Sequence, residues 1–301
     1  KKDYSMLITH VRKVWKKYKN VIKDFILNIL ASGVFTMILQ LLVYPVLASK
    51  VSASEYGTIL TMMGLQNTVI NAMGNALNNV RLIQNDKYDY DQNGDFNIIL
   101  FSASLIAICV DFFVFRFGFR KSYDVVLGLM VAAILGMARL YYCAAFRLII
   151  NLKKMLICNC ITALGYILGV LLYYIFPFWP VIFIVGEAVG VIFLVKKSFL
   201  FGNNLAKSKN FKSTVSKYRN VCCSTAIGSA ITYMDRIIIL PILGAAAVST
   251  YTVASIVGKM MGMVMLPIAG VMLSYYSQKG FSLKVKGFQK SCFLIMEIGR
   301  A

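Results

Sequence analysis

The sequence predicts an all-α polytopic membrane protein with two pseudo-symmetric six-helix bundles around a central cavity. First, 59% of the 301 residues are hydrophobic, 15% are charged and the mean hydropathy is +0.71, which is too apolar for a soluble domain. Second, apolar stretches of roughly 18 to 25 residues recur, each long enough to cross about 30 Å of hydrocarbon. Third, features of the first apolar stretch return about 200 residues later, which is typical of transporters with parallel repeats.

Eight apolar stretches are predicted to be complete spans. A ninth begins at Ser291 and is cut off at Ala301, so we expect the chain to be part of a longer protein. In chain order, the eight spans are Phe25–Ala48, Gly57–Val80, Phe96–Phe115, Val125–Phe146, Met155–Phe176, Phe178–Val195, Val221–Leu243 and Val248–Tyr275.

The distribution of basic residues predicts the orientation. With a cytoplasmic N-terminus, 24 of the 32 Lys and Arg residues lie in the N-terminal segment and the inner loops, whereas four lie in outer loops. This asymmetry follows the positive-inside rule. The net charge of +20 is therefore explained by orientation and contact with anionic membrane lipids, without a nucleic-acid partner.

Two related segments divide the chain. Lys17–Val21 (KYKNV) precedes the first span and Lys217–Val221 (KYRNV) precedes the seventh, and both spans end near a proline followed by a short loop and a tyrosine. Six spans separate the copies, so the copies face the same way across the membrane. The predicted organisation is a cytoplasmic basic segment at 1–24, a first bundle at 25–195, a cytoplasmic linker at 196–220 and a truncated second bundle at 221–301.

Neither a metal site nor a cofactor is predicted. The seven cysteines lie in apolar segments, and the only histidine, His10, lies in the basic N-terminal segment. Cys158 and Cys160 have the wrong spacing for a zinc clip. The cysteines are therefore interpreted as small packing residues.

Charged residues within the spans are the candidate functional residues, because burying them in a bilayer is costly unless they face protein or a wet cavity. The cations suit an anionic substrate such as phosphate, and the carboxylates suit coupling to a proton or sodium ion. The alternative is that both sets form fixed ion pairs between helices, and snorkelling also explains the cations at span ends. The predicted substrate-binding residues are Arg139, Arg236, Lys259, Arg147 and Arg81, and the predicted ion-coupling residues are Asp235, Glu187 and Asp111.

The second span has an unusually polar course. Its amides, including Gln66 and Asn78, and its glycines, including Gly64 and Gly74, suit close helix packing, with hydrogen bonds to sugar hydroxyls as the alternative.

Three stretches resemble polysaccharide flippases of the O-antigen and capsule branch of the multidrug/oligosaccharidyl-lipid/polysaccharide exporter superfamily. They are Leu42–Leu60 (LVYPVLASKVSASEYGTIL), Arg139–Lys154 (RLYYCAAFRLIINLKK) and Ile231–Ser255 (ITYMDRIIILPILGAAAVSTYTVAS). The resemblance implies a multi-pass, non-enzymatic transporter in the bacterial inner membrane. It further implies alternating access, a polyprenyl-pyrophosphate-linked oligosaccharide as substrate, a proton or sodium gradient as driving force, and other polysaccharide-assembly proteins as partners.

Three other functions stay open at this stage. A drug or cation exporter of the same superfamily would favour a cavity dominated by carboxylates. A membrane enzyme of polysaccharide assembly would need a larger outer loop or clustered acid–base residues. A non-transporting structural membrane protein would have little reason to keep charges in several different spans.

Overall fold

The computed structural model describes residues 26–27, 30, 33–85, 92–202 and 205–262, with side chains as far as Ser255. The basic N-terminal segment, the end of the eighth predicted span and the ninth span lie outside these residues. All regular structure in the described residues is helical, and no strand occurs among them.

Eight helices follow one another in the described part of the chain. Their bounds, with π-helical turns included, are α1 Gly33–Lys50, α2 Ala53–Ile70 continuing through Asn71–Asn75 and Ala76–Gln84, α3 Asn93–Gly118, α4 Tyr123–Tyr142 continuing as Ala144–Leu148, α5 Leu152–Ile175, α6 Pro180–Lys197, α7 Phe211–Leu243 and α8 Ala245–Gly262. Each helix overlaps one predicted span, although α7 begins ten residues before Val221 and α8 is described only as far as Gly262.

Five of these helices, α1, α3, α4, α5 and α7, are long and apolar enough to cross a membrane. The chain is therefore a membrane-embedded helical protein. Helix α2 is more polar because it carries several amides, whereas α6 is apolar but has three charged residues, Glu187, Lys196 and Lys197, within its 18 residues. The number of spans and the two-bundle symmetry stay predictions.

Glycines bring α5 and α6 unusually close together. A Cβ built on Gly169 would lie 2.7 Å from the carbonyl oxygen of Ile182, and one on Gly165 would lie 3.1 Å from that of Gly186. Such close backbone approach is typical of membrane helices, where packing rather than the hydrophobic effect drives association.

Helices α7 and α8 pack along one face of α2. A Cβ on Gly57 would overlap the carbonyl oxygen of Ala245 at the start of α8, and Gly64 accommodates the ring of Tyr233 of α7. Between α7 and α8, Gly244 has a φ of +82°, a conformation that residues with a side chain rarely adopt. The beginning of the predicted second bundle is thus in direct contact with the first.

The linker between α6 and α7 comprises residues 198–210. Helix α7 begins at Phe211, so the second part of the predicted linker is helical. At the N-terminus of α3, Asp95 accepts hydrogen bonds from the backbone N–H (2.8 Å) and the hydroxyl of Ser208, and Asn97 donates to the carbonyl of Gly202 (2.9 Å). These contacts fix the linker to the first bundle. We call this end of the protein, which carries the linker and most of the described cations, the basic end.

Candidate functional site

Arg139 and Glu187 form a buried ion pair between α4 and α6. The Nε of Arg139 donates to Oε2 of Glu187, and Nη2 donates to Oε1 at 3.1 Å. Both residues are over 90% buried. The sequence predicted that Arg139 binds the substrate and Glu187 the coupling ion. In the structure the two side chains instead form a bidentate ion pair with each other.

Neighbouring side chains hold this ion pair in place. The Tyr166 hydroxyl of α5 donates to Oε1 of Glu187 at 2.9 Å, and the Phe35 ring of α1 lies 4.9 Å from the Arg139 guanidinium. The absence of a Cβ at Gly190 leaves room for the Arg139 side chain. The ion pair joins α4 to α6, and Tyr166 and Phe35 add contacts from α5 and α1. The arrangement therefore supports the interpretation that the pair holds four helices together.

Arg236 of α7 lies in a different environment. It is 8% exposed, and within the described part of the chain its guanidinium makes one hydrogen bond, from Nη1 to the carbonyl oxygen of Leu60 in α2, at 3.3 Å. Its Nε is buried and has no hydrogen-bond partner among the described residues, nor does Arg236 form an ion pair with any carboxylate there. Arg236 is thus a buried cation whose N–H donors are only partly used by the described residues.

Three tyrosines surround Arg236. Tyr44 of α1, Tyr56 of α2 and Tyr233 of α7 all lie within electrostatic range of its guanidinium, and the Tyr233 ring centre is 5.8 Å from Cζ of Arg236. Tyr44 follows the π-helical turn Leu39–Val43, where the chain widens ahead of a proline that has no N–H to donate. Helices α1, α2 and α7 therefore each contribute one tyrosine near Arg236.

Asp235 forms no ion pair with Arg236 among the described residues, unlike Glu187 with Arg139. Its Oδ1 accepts from the backbone N–H of Arg236 at 2.8 Å, and its carboxylate is hydrogen-bonded to the hydroxyl of Tyr251 in α8. Adjacent residues on a helix point about 100° apart, so the two side chains face different neighbours. Asp235 is therefore bonded to Tyr251 of α8, whereas Arg236 is bonded to Leu60 of α2.

Arg147 and Arg81 lie at the basic end of the bundle. Nη1 of Arg147 donates to the amide oxygens of Asn78 (2.6 Å) and Asn79 (3.3 Å), and Nη2 of Arg81 donates to Asn93 (2.9 Å). Both arginines therefore join helices α2, α3 and α4 through side-chain amides. That Arg147 and Arg81 bind the substrate stays a prediction.

Asp111 is 1% exposed in α3, and its Oδ2 has no hydrogen-bond partner among the described residues. Lys259 belongs to α8, and its side chain is outside the described part of the structure. Ion coupling by Asp111 and substrate binding by Lys259 stay predictions.

The amides and glycines of α2 serve packing at the positions that are described. Gln66 donates to the Leu129 carbonyl and Asn78 donates to the Leu140 carbonyl, each at 2.7 Å, which ties α2 to α4. A Cβ on Gly74 would lie 2.9 Å from Cα of Met137. These contacts favour the packing interpretation over hydrogen bonds to sugar.

Sequence reasoning missed the tyrosines as site residues. The available signal was position: Tyr44 and Tyr56 flank the short loop of the first repeat, and Tyr233 is one helical turn before Arg236. Spacing along one chain does not show that three helices converge there.

Fold and site together define a helical membrane protein with three buried arginines among the described residues. Arg139 is paired with a carboxylate, Arg147 is bound to side-chain amides, and Arg236 lies near tyrosines. No protein-family model matches the chain, and neither a curated protein nor a solved structure shows significant similarity to it.

Proposed function

We propose that the protein is a bacterial inner-membrane transporter that flips a polyprenyl-pyrophosphate-linked oligosaccharide from the inner to the outer leaflet by alternating access. The observation that carries this proposal is Arg236, a buried cation that forms no ion pair with the described carboxylates. The resemblance of the seventh and eighth spans to polysaccharide flippases supports the same substrate.

Burial of a charged side chain in a membrane helix is costly. The cost is up to about 2.5–3.5 kcal/mol, the value on insertion scales at the helix centre, and the 3.3 Å bond from Arg236 to Leu60 offsets little of it. A guanidinium with free donors suits phosphate oxygens, which accept several hydrogen bonds at once. An anionic ligand would therefore offset the cost of burying this cation.

The position of Arg236 suits a substrate that passes between the two bundles. At 1.5 Å per residue, Arg236 lies about 10 Å from the end of α7 at Leu243, and Leu60 lies about 10 Å from the start of α2. The tyrosines offer both apolar rings and hydroxyl donors there. A lipid-linked saccharide presents matching chemistry, namely an isoprenoid chain, a pyrophosphate and sugar hydroxyls.

Asp111 supports a transport cycle that is coupled to the movement of an ion. The second candidate function, a cation-coupled exporter of drug-like molecules, would use Asp111 in the same way. A buried carboxylate with an unpartnered oxygen is costly when ionised, so uptake of a proton or a sodium ion would stabilise it. If the cycle is coupled in this way, Asp111→Asn abolishes the dependence of transport on the gradient and leaves substrate binding intact.

The test is translocation in liposomes. The full protein is reconstituted with a lipid-linked oligosaccharide in one leaflet, and a lectin scores sugar on the far leaflet with and without an imposed gradient. Arg236→Gln is compared with Arg219→Gln, which removes an exposed arginine of the same helix. We expect wild type and Arg219→Gln to translocate and Arg236→Gln to lose most of the activity at matched folded amounts.

Two results would count against the proposal. Absence of translocation by wild type across several native glycolipids would favour the drug exporter or a structural role. Translocation that is unaffected by Arg236→Gln would retain the flippase but remove Arg236 from its site.

A further inference from the structure

We propose that the linker at the basic end is a binding surface for anionic phospholipid headgroups, placed at the membrane surface where the two bundles join. This inference does not depend on the transported substrate. It is based on the exposed side chains of the linker, the charge around them and the contacts that hold the linker in place.

The first observation is an alternation of side chains after α6. Ser198 and Leu200 are buried, and the Ser198 hydroxyl donates to the carbonyl of Tyr142 at 3.1 Å. Between and after them, Phe199 is 55% exposed, and Phe201, whose ring lies 5.4 Å from that of Tyr142, is 46% exposed. Partly exposed phenylalanines beside lysines are typical of segments that lie at the boundary between hydrocarbon and headgroups.

The second observation is charge. Exposed cations lie in the elements on both sides of these rings in the chain, and the one described carboxylate at the basic end, Asp95, is 1% exposed and bound to Ser208. The segment 86–91, outside the described residues, adds three aspartates and one lysine to the sequence, which leaves this end strongly positive. The exposed cations are Lys153, Lys154, Lys196, Lys197, Lys207, Lys209, Lys212 and Arg219.

The third observation is that the linker is held rather than loose. Besides the bonds from Asp95 and Asn97, a Cβ on Gly94 would lie within van der Waals overlap of the Ala206 carbonyl. Lys207 Nζ lies 5.3 Å from the ring centre of Phe211, at the start of α7. The rings and cations are therefore presented on a fixed surface.

Anionic lipid fits this surface better than a soluble partner does. Outward apolar rings next to lysines at the end of a membrane helix combine hydrophobic insertion with attraction to negative headgroups, the two signals that stable interfacial binding requires. A soluble acidic protein would neutralise the lysines but would require Phe199 and Phe201 to leave the lipid boundary.

The test uses a fluorescent reporter on the linker. In a form with Trp15→Phe and Trp179→Phe, Phe201→Trp provides the single tryptophan of the chain. The protein is reconstituted in mixtures of phosphatidylcholine and phosphatidylglycerol in which one or the other carries bromine on its acyl chains. Quenching of the reporter gives the relative affinity of the two lipids for the linker.

We expect at least a fivefold preference for phosphatidylglycerol, reduced to below twofold when four lysines of the linker and the end of α6 are replaced together by glutamine. Removal of two charges at the opposite end of the bundle, by Arg120→Gln with Lys121→Gln, should leave the preference unchanged. The lysine replacements are Lys196→Gln, Lys197→Gln, Lys207→Gln and Lys209→Gln.

Equal quenching by the two brominated lipids would overturn the proposal. So would quenching by aqueous iodide without quenching by either lipid, because that result would place the linker in water and make it a surface for a soluble partner.

Discussion

Replacing Glu187 with glutamine tests whether the Arg139–Glu187 pair fastens the bundle. Glutamine keeps the shape of the side chain and an oxygen that accepts from Tyr166, but it removes the negative charge. The guanidinium of Arg139, over 90% buried, is then left without a counter-charge. Breaking a buried pair in this way costs about 3–5 kcal/mol, so we expect Glu187→Gln to lower the free energy of unfolding by about that amount.

The second variant distinguishes lost charge balance from lost contacts. Adding Arg139→Met to Glu187→Gln makes the site neutral, keeps the acceptor for Tyr166 and places a thioether against the Phe35 ring. We expect this double variant to return to within about 1–2 kcal/mol of wild type, since neutral replacements of buried ion pairs are often tolerated.

The assay is equilibrium unfolding in mixed micelles by titration with sodium dodecyl sulfate, followed by far-ultraviolet circular dichroism. Asp124→Asn, an exposed carboxylate in α4, is the control and should change stability by less than about 0.5 kcal/mol. The reasoning is refuted if Glu187→Gln is as stable as wild type, or if adding Arg139→Met destabilises the protein further.

Two other changes follow from the packing contacts. Gly169→Ala places a Cβ against backbone atoms of α6 that cannot move aside, so the free energy of unfolding in the same assay should fall by about 1–3 kcal/mol. The control is Gly228→Ala, whose Cβ meets nothing within 4 Å and which should be neutral or slightly stabilising. Asp95→Asn weakens the charge-assisted bonds from Ser208, so limited trypsin digestion should cut the linker several-fold faster than in wild type or in Asp124→Asn.

The helices were predictable because membrane thickness fixes how long an apolar stretch must be. The start of α7 was not, since Phe211–Asn220 is too polar to look like a span. There Thr214 and Tyr218 nevertheless contact α2, donating to Gln84 and to the Met73 carbonyl, each at 3.3 Å. A helix that packs on protein at one face and meets water at the other has no long apolar run.

The candidate site was only partly predictable. Intramembrane charges are rare enough for Arg139, Glu187 and Arg236 to stand out in the sequence. The partners of these three residues depend on how each helix is rotated and on which helices pack together. A single sequence shows neither the rotation nor the packing. As a result, two residues predicted for different roles are one ion pair, and the tyrosines around Arg236 were identified from the structure alone.

Binding of a short-chain polyprenyl pyrophosphate is the most direct measurement of the central claim, that Arg236 receives the anion and the Arg139–Glu187 pair is structural. Hydrogen bonds to charged groups contribute about 1.5–3 kcal/mol, so Arg236→Gln should raise the Kd by about 10- to 150-fold. Arg139→Met combined with Glu187→Gln should leave the Kd within about threefold of wild type. The reverse result, with affinity lost in the double variant and kept in Arg236→Gln, would contradict the account.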